Sequence, residues 1–283
     1  MDSGAVDKGR AVRIGDVWDS TTDALVGRAG VLLPITALTY FLPAAVHAAV
    51  LAYRAESPGR AALAGLVALL SIVIQLWGQL AIVAVASDPA TTRADAGAAA
   101  TRRFGAGLVI LLVMLATVIV ALLPIGLAIL LSGFDWQAAT AQAGSAGPGK
   151  LAPAAALFCL LYALALLAVG LWLGARLFLV FPVVLNERRG IGAFGRSFRL
   201  TRGLALRLVG ISFLFLAVLF VASWAAKSVI FVVLRLVLGP AQIATATFLS
   251  ELAVVAVQTA LAAVAVVFAA RLYAAVAGGK GPA

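Results

Sequence analysis

Charge is what this chain has least of. Only 11% of its 283 residues are charged, against about a quarter in a soluble globular domain. It has one histidine, His47, and one cysteine, Cys159. A lone cysteine closes no internal disulfide, and a lone His–Cys complement supplies no zinc ligand set. With 11 acidic residues in all, a hydrolytic centre of acid, base and nucleophile is hard to assemble. No P-loop, H-E-x-x-H, G-x-S-x-G or dinucleotide-type glycine turn occurs. Strand-like alternation is also missing, which excludes a barrel of short membrane strands. Residues 1–28 contain no apolar stretch behind a basic start, so no cleavable signal peptide is predicted.

Apolar residues fill the space that charge leaves. They make up 64% of the chain, and mean hydropathy is +1.13. A core formed by 283 residues cannot bury that much apolar surface. Hydrocarbon is therefore the expected solvent for most of the polypeptide. The excess of +10 charges would suggest nucleic acid in a soluble domain. Here it reads as topology signal and contact with anionic phospholipid, with no nucleic-acid partner.

A bilayer core of ~30 Å needs roughly 20 helical residues. Six apolar runs qualify, at residues 30–53, 61–86, 104–131, 151–184, 204–236 and 246–276. The predicted fold is thus an all-α integral membrane protein with six transmembrane helices. A 1–28 segment precedes the 29–276 membrane domain, and a 277–283 tail follows it. Pro34, Pro43 and Pro124 are expected to kink or end helix in spans one and three. Pro182 should break the fourth run, and residues 228–239 are expected along the membrane surface.

Lysine and arginine are unevenly shared between the connections. Fifteen fall before span one, in the even-numbered connections and after span six. Three, Arg54, Arg60 and Lys150, fall in the odd-numbered connections. The positive-inside rule then predicts a bacterial inner-membrane protein with both termini cytoplasmic. Arginine outnumbers lysine 17 to 4, and alanine is abundant, as in GC-rich bacterial genomes.

The predicted cytoplasmic stretches suggest a parallel repeat of three units, at about 13–86, 87–185 and 187–276. Each unit places a candidate amphipathic helix before a hairpin of two spans. In the first, Ile14, Val17, Trp18, Thr21 and Leu25 form one face, with Asp16, Asp19 and Asp23 on another. The second is the alanine-rich 90–103 stretch, with Asp88 as expected N-cap and Pro89 at the first helical position. In the third, Ile191, Phe194 and Phe198 form an apolar line beside Arg196 and Arg199, and Gly203 separates it from the fifth span.

Few side chains within this frame carry polar chemistry. Gln75 and Gln79 share a face of the second span, and Gln258 lies deep in the sixth. Lys227 and Glu251 are expected near one membrane rim on adjacent antiparallel spans, close enough to pair. With the glutamines they form the candidate intramembrane polar site. Arg188, Arg189, Arg196, Arg199, Arg202 and Arg207 are candidate anionic-lipid contacts, each contributing ~1 kcal/mol beside an anionic leaflet. His47 reads as a helix–helix hydrogen-bonding residue. Gly170 and Gly174 give a G-x-x-x-G spacing that suits close internal packing. No cofactor and no metal is expected.

The stretch from Arg176 to Gly203 carries Pro182, Glu187, Gly190, Ala193, Ser197, Leu200 and Thr201. This pattern before a long span resembles the YciC-like proteins and the membrane domain attached to some glycerophosphoryl diester phosphodiesterases. The resemblance implies a multipass bacterial inner-membrane protein. It transfers no catalytic residue, because catalysis in the phosphodiesterases belongs to a separate soluble domain. The expected function is therefore non-enzymatic: organising lipid, a membrane-protein partner or a second copy through inner-leaflet amphipathic helices. The alternative is a transporter or lipid-handling channel with a polar cavity between the hairpins.

Overall fold

The structure, a computed structural model, describes residues 13–52, 58–133 and 152–278. Lys8, Arg10, Arg54, Lys150, Lys280 and most of the 277–283 tail lie outside the described residues, as does the start of the N-terminal segment. Among the described residues every regular element is helical, and six helical segments are long and apolar enough to cross a membrane. They match the six runs in the sequence.

Helix α1 (Ile14–Gly27) buries Val17, Thr21 and Ala24, while Asp16, Asp19 and Asp23 stay exposed. The first span consists of α2 (Ala29–Thr36), a π-helical turn (Ala37–Phe41) and α3 (Leu42–Ala52). Pro43 explains the turn. It has no N–H to offer the Thr39 carbonyl and its ring crowds that group, so the local spiral widens. The second span is α4 (Pro58–Ser87).

Helix α5 (Arg93–Leu131) differs from expectation in two ways. The 90–103 stretch is not a separate helix before the third span. It is continuous with it, in a helix of 39 residues, or roughly 58 Å at the α-helical rise. The N-cap is Thr92, not Asp88. Thr92 and Asp95 form a reciprocal capping box, while Asp88 accepts the Ala90 N–H in the preceding turn. Pro124 lies inside α5 without ending it.

The fourth run divides into α6 (Pro153–Leu177) and α7 (Val180–Asn186). The break falls at Phe178–Leu179, one turn before Pro182. That offset follows from proline sterics, because the ring conflicts with the carbonyl four residues earlier, here Phe178. A short helix, α8 (Gly192–Leu200), follows. Gly203, at φ +89°, makes the turn into α9 (Ala205–Leu238). The expected surface bend at 228–239 is absent, since α9 runs unbroken to Leu238. Gly239, at φ +75°, then reverses the chain into α10 (Ile243–Gly278).

Burial is concentrated at one end of the bundle. Leu80 to Ala86 on α4, Ala96 and Ala100 on α5, Val180, Val183 and Val184 on α7, and Val266 to Ala270 on α10 form the core. Arg28 donates to the carbonyls of Pro89 and Thr91, and Asn186 Nδ2 donates to Ser87 Oγ at 3.2 Å. The start of the first span, the α4–α5 turn, the α7 end and the α10 C-terminal region therefore meet at this end. Beyond it, α5, α6 and α9 present Leu112 to Leu131, Leu157 to Val169 and Phe213 to Val237 as largely exposed apolar faces. In water such faces would aggregate, whereas in hydrocarbon they are solvated.

Candidate functional site

The break before Pro182 has a chemical consequence. It leaves the Arg176 carbonyl without its helical partner. Ser197 Oγ donates to that carbonyl at 2.7 Å, and Thr201 Oγ1 lies 3.4 Å from it. Both hydroxyl residues belong to the buried face of the α8 region, with Ala193 and Leu200. The face differs from the one expected. Ile191 is exposed, while Phe194 and Phe198 are only half-buried. The fitted face of α8 is thus small and hydroxylated, shaped to seat on the end of α6. The Arg176 guanidinium adds a further link. It lies 5.4 Å from the Trp172 ring centre and 6.0 Å from that of Phe198.

Glu187 holds the other side of α8. Its carboxylate receives Arg196 Nε at 2.7 Å, Arg189 Nε at 3.0 Å and the Tyr273 hydroxyl at 3.2 Å. Arg188 stands between the paired residues at φ +56°, a left-handed backbone setting that folds Arg189 back onto Glu187. The six arginines named from sequence therefore divide into two pools. Arg189 and Arg196 are tied to Glu187. Arg188, Arg199, Arg202 and Arg207 are exposed and form no ion pair among the described residues.

The five polar residues proposed for an intramembrane site also divide. Lys227 Nζ lies 2.5 Å from Glu251 Oε1. Both line a cavity of about 620 Å³ between α9 and α10, together with Gln258, Ser223, Trp224 and apolar side chains. Gln75 and Gln79 do not line it; they are half-buried on α4. A single polar cavity shared by all five residues is therefore not formed. His47 is half-buried on α3 and makes no hydrogen bond to a described residue. Among the described residues no three His, Cys, Asp or Glu side chains cluster as metal ligands.

Sequence reasoning missed a second cavity, apolar and about 450 Å³, between α6, α9 and α10, with Trp18 of α1 in its wall. Gly170 and Gly174 line it, and nothing lies within 4 Å of where a side chain on either would begin. The G-x-x-x-G spacing thus marks an opening, not the close packing expected. Among the described glycines the tightest contact is at Gly78 of α4, where an added Cβ would run into Thr39 of the π-helical turn, with Thr39 Cγ2 3.0 Å away. No family model, curated protein or solved structure matches the chain.

Proposed function

We propose that this is a non-enzymatic multipass protein of a bacterial inner membrane that gathers anionic phospholipid at its cytoplasmic face. The observation that carries this reading is the second arginine pool. Arg188, Arg199, Arg202 and Arg207 surround a short helix fixed to the bundle, and among the described residues no acid pairs with them. The clamp of Ser197 and Thr201 on the Arg176 carbonyl, with Glu187 opposite, holds them in place. A fixed array loses less side-chain and backbone freedom on binding than a free basic tail. The motif that resembles the YciC-like family maps onto this clamp, which favours a structural role for it. With both termini in the cytoplasm, the array faces the anionic inner leaflet.

The test is the joint replacement of Arg188, Arg199, Arg202 and Arg207 by Gln. At ~1 kcal/mol for each basic residue near an anionic surface, affinity for phosphatidylglycerol should fall by roughly a thousandfold. Native mass spectrometry of the purified protein, titrated with that lipid, reads the loss. The thermal midpoint in neutral lipid should be unchanged. Undiminished phosphatidylglycerol binding by the quadruple variant would refute the proposal.

A further inference from the structure

The Lys227–Glu251 pair has an unusual position. On α9 the residues before it, Phe220, Val221 and Trp224, are exposed and aromatic or apolar. So are Val229, Val232 and Val233 after it. The pair therefore has apolar neighbours on both sides along α9, with the exposed Arg235 two turns beyond, as expected near one rim of the span. Both charges remain partly open, with Lys227 53% and Glu251 31% exposed. An ammonium carries three donors and a carboxylate about four acceptor sites. One contact between them leaves most of that capacity unused among the described residues. In hydrocarbon, unused capacity of this kind is costly.

A second observation comes from Ser223, which lines the same cavity. Hydroxyls in apolar helices ordinarily bond back to a carbonyl one turn earlier. Thr36, Thr39, Ser71 and Thr117 do so here, at 2.7 to 2.8 Å. Ser223 Oγ is buried and has no hydrogen-bond partner among the described residues. Gln258 adds an amide to the same wall, while Leu216, Leu219, Phe220 and Val254 complete it. The cavity thus joins a cation, an anion and neutral polar groups to a greasy trough.

We propose that this cavity binds the headgroup of a zwitterionic phospholipid bearing a primary ammonium, such as phosphatidylethanolamine. The phosphate takes the free donors of Lys227 and, once its side chain rotates, the Ser223 hydroxyl, and the ammonium donates to Glu251. The first acyl carbons lie along Leu216, Leu219 and Phe220. The site has no net charge, so an anionic headgroup gains Lys227 but meets Glu251 unopposed. A choline headgroup has the phosphate but no N–H for the carboxylate. One charge-assisted hydrogen bond separates ethanolamine from choline, so the preference should be about tenfold. The site lies far along α9 from Arg202 and Arg207, and does not depend on the arginine reading.

The experiment is native mass spectrometry of the full chain in detergent, titrated in parallel with phosphatidylethanolamine, phosphatidylcholine and phosphatidylglycerol. The wild type should prefer ethanolamine over choline about tenfold. The double variant Lys227→Gln/Glu251→Gln removes both charges together, leaves no unpaired ion in the membrane, and should abolish that preference. Ser223→Ala is the second variant, with ethanolamine-lipid binding expected to weaken several-fold while the fold is kept. Phosphatidylglycerol bound through the arginines should persist in both variants. Equal binding of the ethanolamine and choline lipids by the wild type would overturn the proposal. So would an unaltered preference in the double variant. Soluble phosphoethanolamine competing as well as the intact lipid would refute the lipid assignment.

Discussion

Replacing Glu187 by Gln should make the protein less stable and, at the same time, a better binder of anionic lipid. The side chain is 16% exposed, so its contacts are only partly screened. The Arg196 contact at 2.7 Å is the strongest of the three, since its donor is 28% exposed. The Arg189 pair, 48% exposed on the arginine side, adds little by itself. The Tyr273 hydrogen bond at 3.2 Å contributes about 1 kcal/mol. Glutamine keeps the shape and one acceptor, so a loss of about 2 kcal/mol is expected. Two arginines are released by the same change, and the free pool grows from four to six. At ~1 kcal/mol each, lipid affinity should rise by up to roughly thirtyfold. Thermal unfolding in neutral detergent and phosphatidylglycerol titration by native mass spectrometry read the two effects separately. The Ser197 and Thr201 contacts to Arg176 remain, so α8 should stay seated. Stability and affinity falling together would refute the division of the arginines into a structural and a lipid-facing pool.

Two further substitutions follow from the same geometry. Arg188→Gly relieves a backbone at φ +56°, and should raise stability by up to about 1 kcal/mol while lowering anionic-lipid affinity several-fold. Arg188→Ala should lower affinity equally without the gain in thermal midpoint, and equal midpoints for the two variants would remove the strain argument. Gly78→Ala drives a methyl group into the Thr39 side chain, which is stiff at Cβ and bonded to the Ile35 carbonyl at 2.8 Å. A loss of about 1–3 kcal/mol in thermal unfolding is expected. Gly174→Ala, where nothing lies within 4 Å, should leave stability unchanged, and an equal loss at both positions would contradict the packing described.

The six spans were legible because length and apolar content alone select them. The fourth-run break was readable in kind from Pro182, but its position required the carbonyl four residues earlier to be considered. The Lys227–Glu251 juxtaposition could be reached by counting helical rise from the charged ends, since both helices are continuous. Other features depend on how helices rotate and where they touch, and composition is silent on both. Burial of Ala193, Ser197 and Thr201 in preference to the Phe194–Phe198 line is one such case. The greasiest stripe of this helix points to lipid, whereas the orphaned Arg176 carbonyl selects hydroxyls. That Gln75 and Gln79 do not line the cavity of Gln258 has the same origin, because helix faces are set by packing that hydrophobicity does not encode. The continuity of α5 was obscured by a polar start that resembled a separate element. Thr92 and Asp95, three residues apart, were the signal that could have placed its beginning.

The one-ended core bears on how the molecule comes apart. Where α4, α5, α7 and α10 interlock, side chains are sealed from all sides, but the distal turns of α6 and α9 face the surrounding acyl chains. Loosening should therefore begin there and travel toward the arginine-bearing end, so that exchange of amide hydrogens is fastest at the tips and slowest around Val83 and Val267. Thicker or thinner bilayers would act on the tips first, leaving the clamp beneath Pro182 intact until the last step.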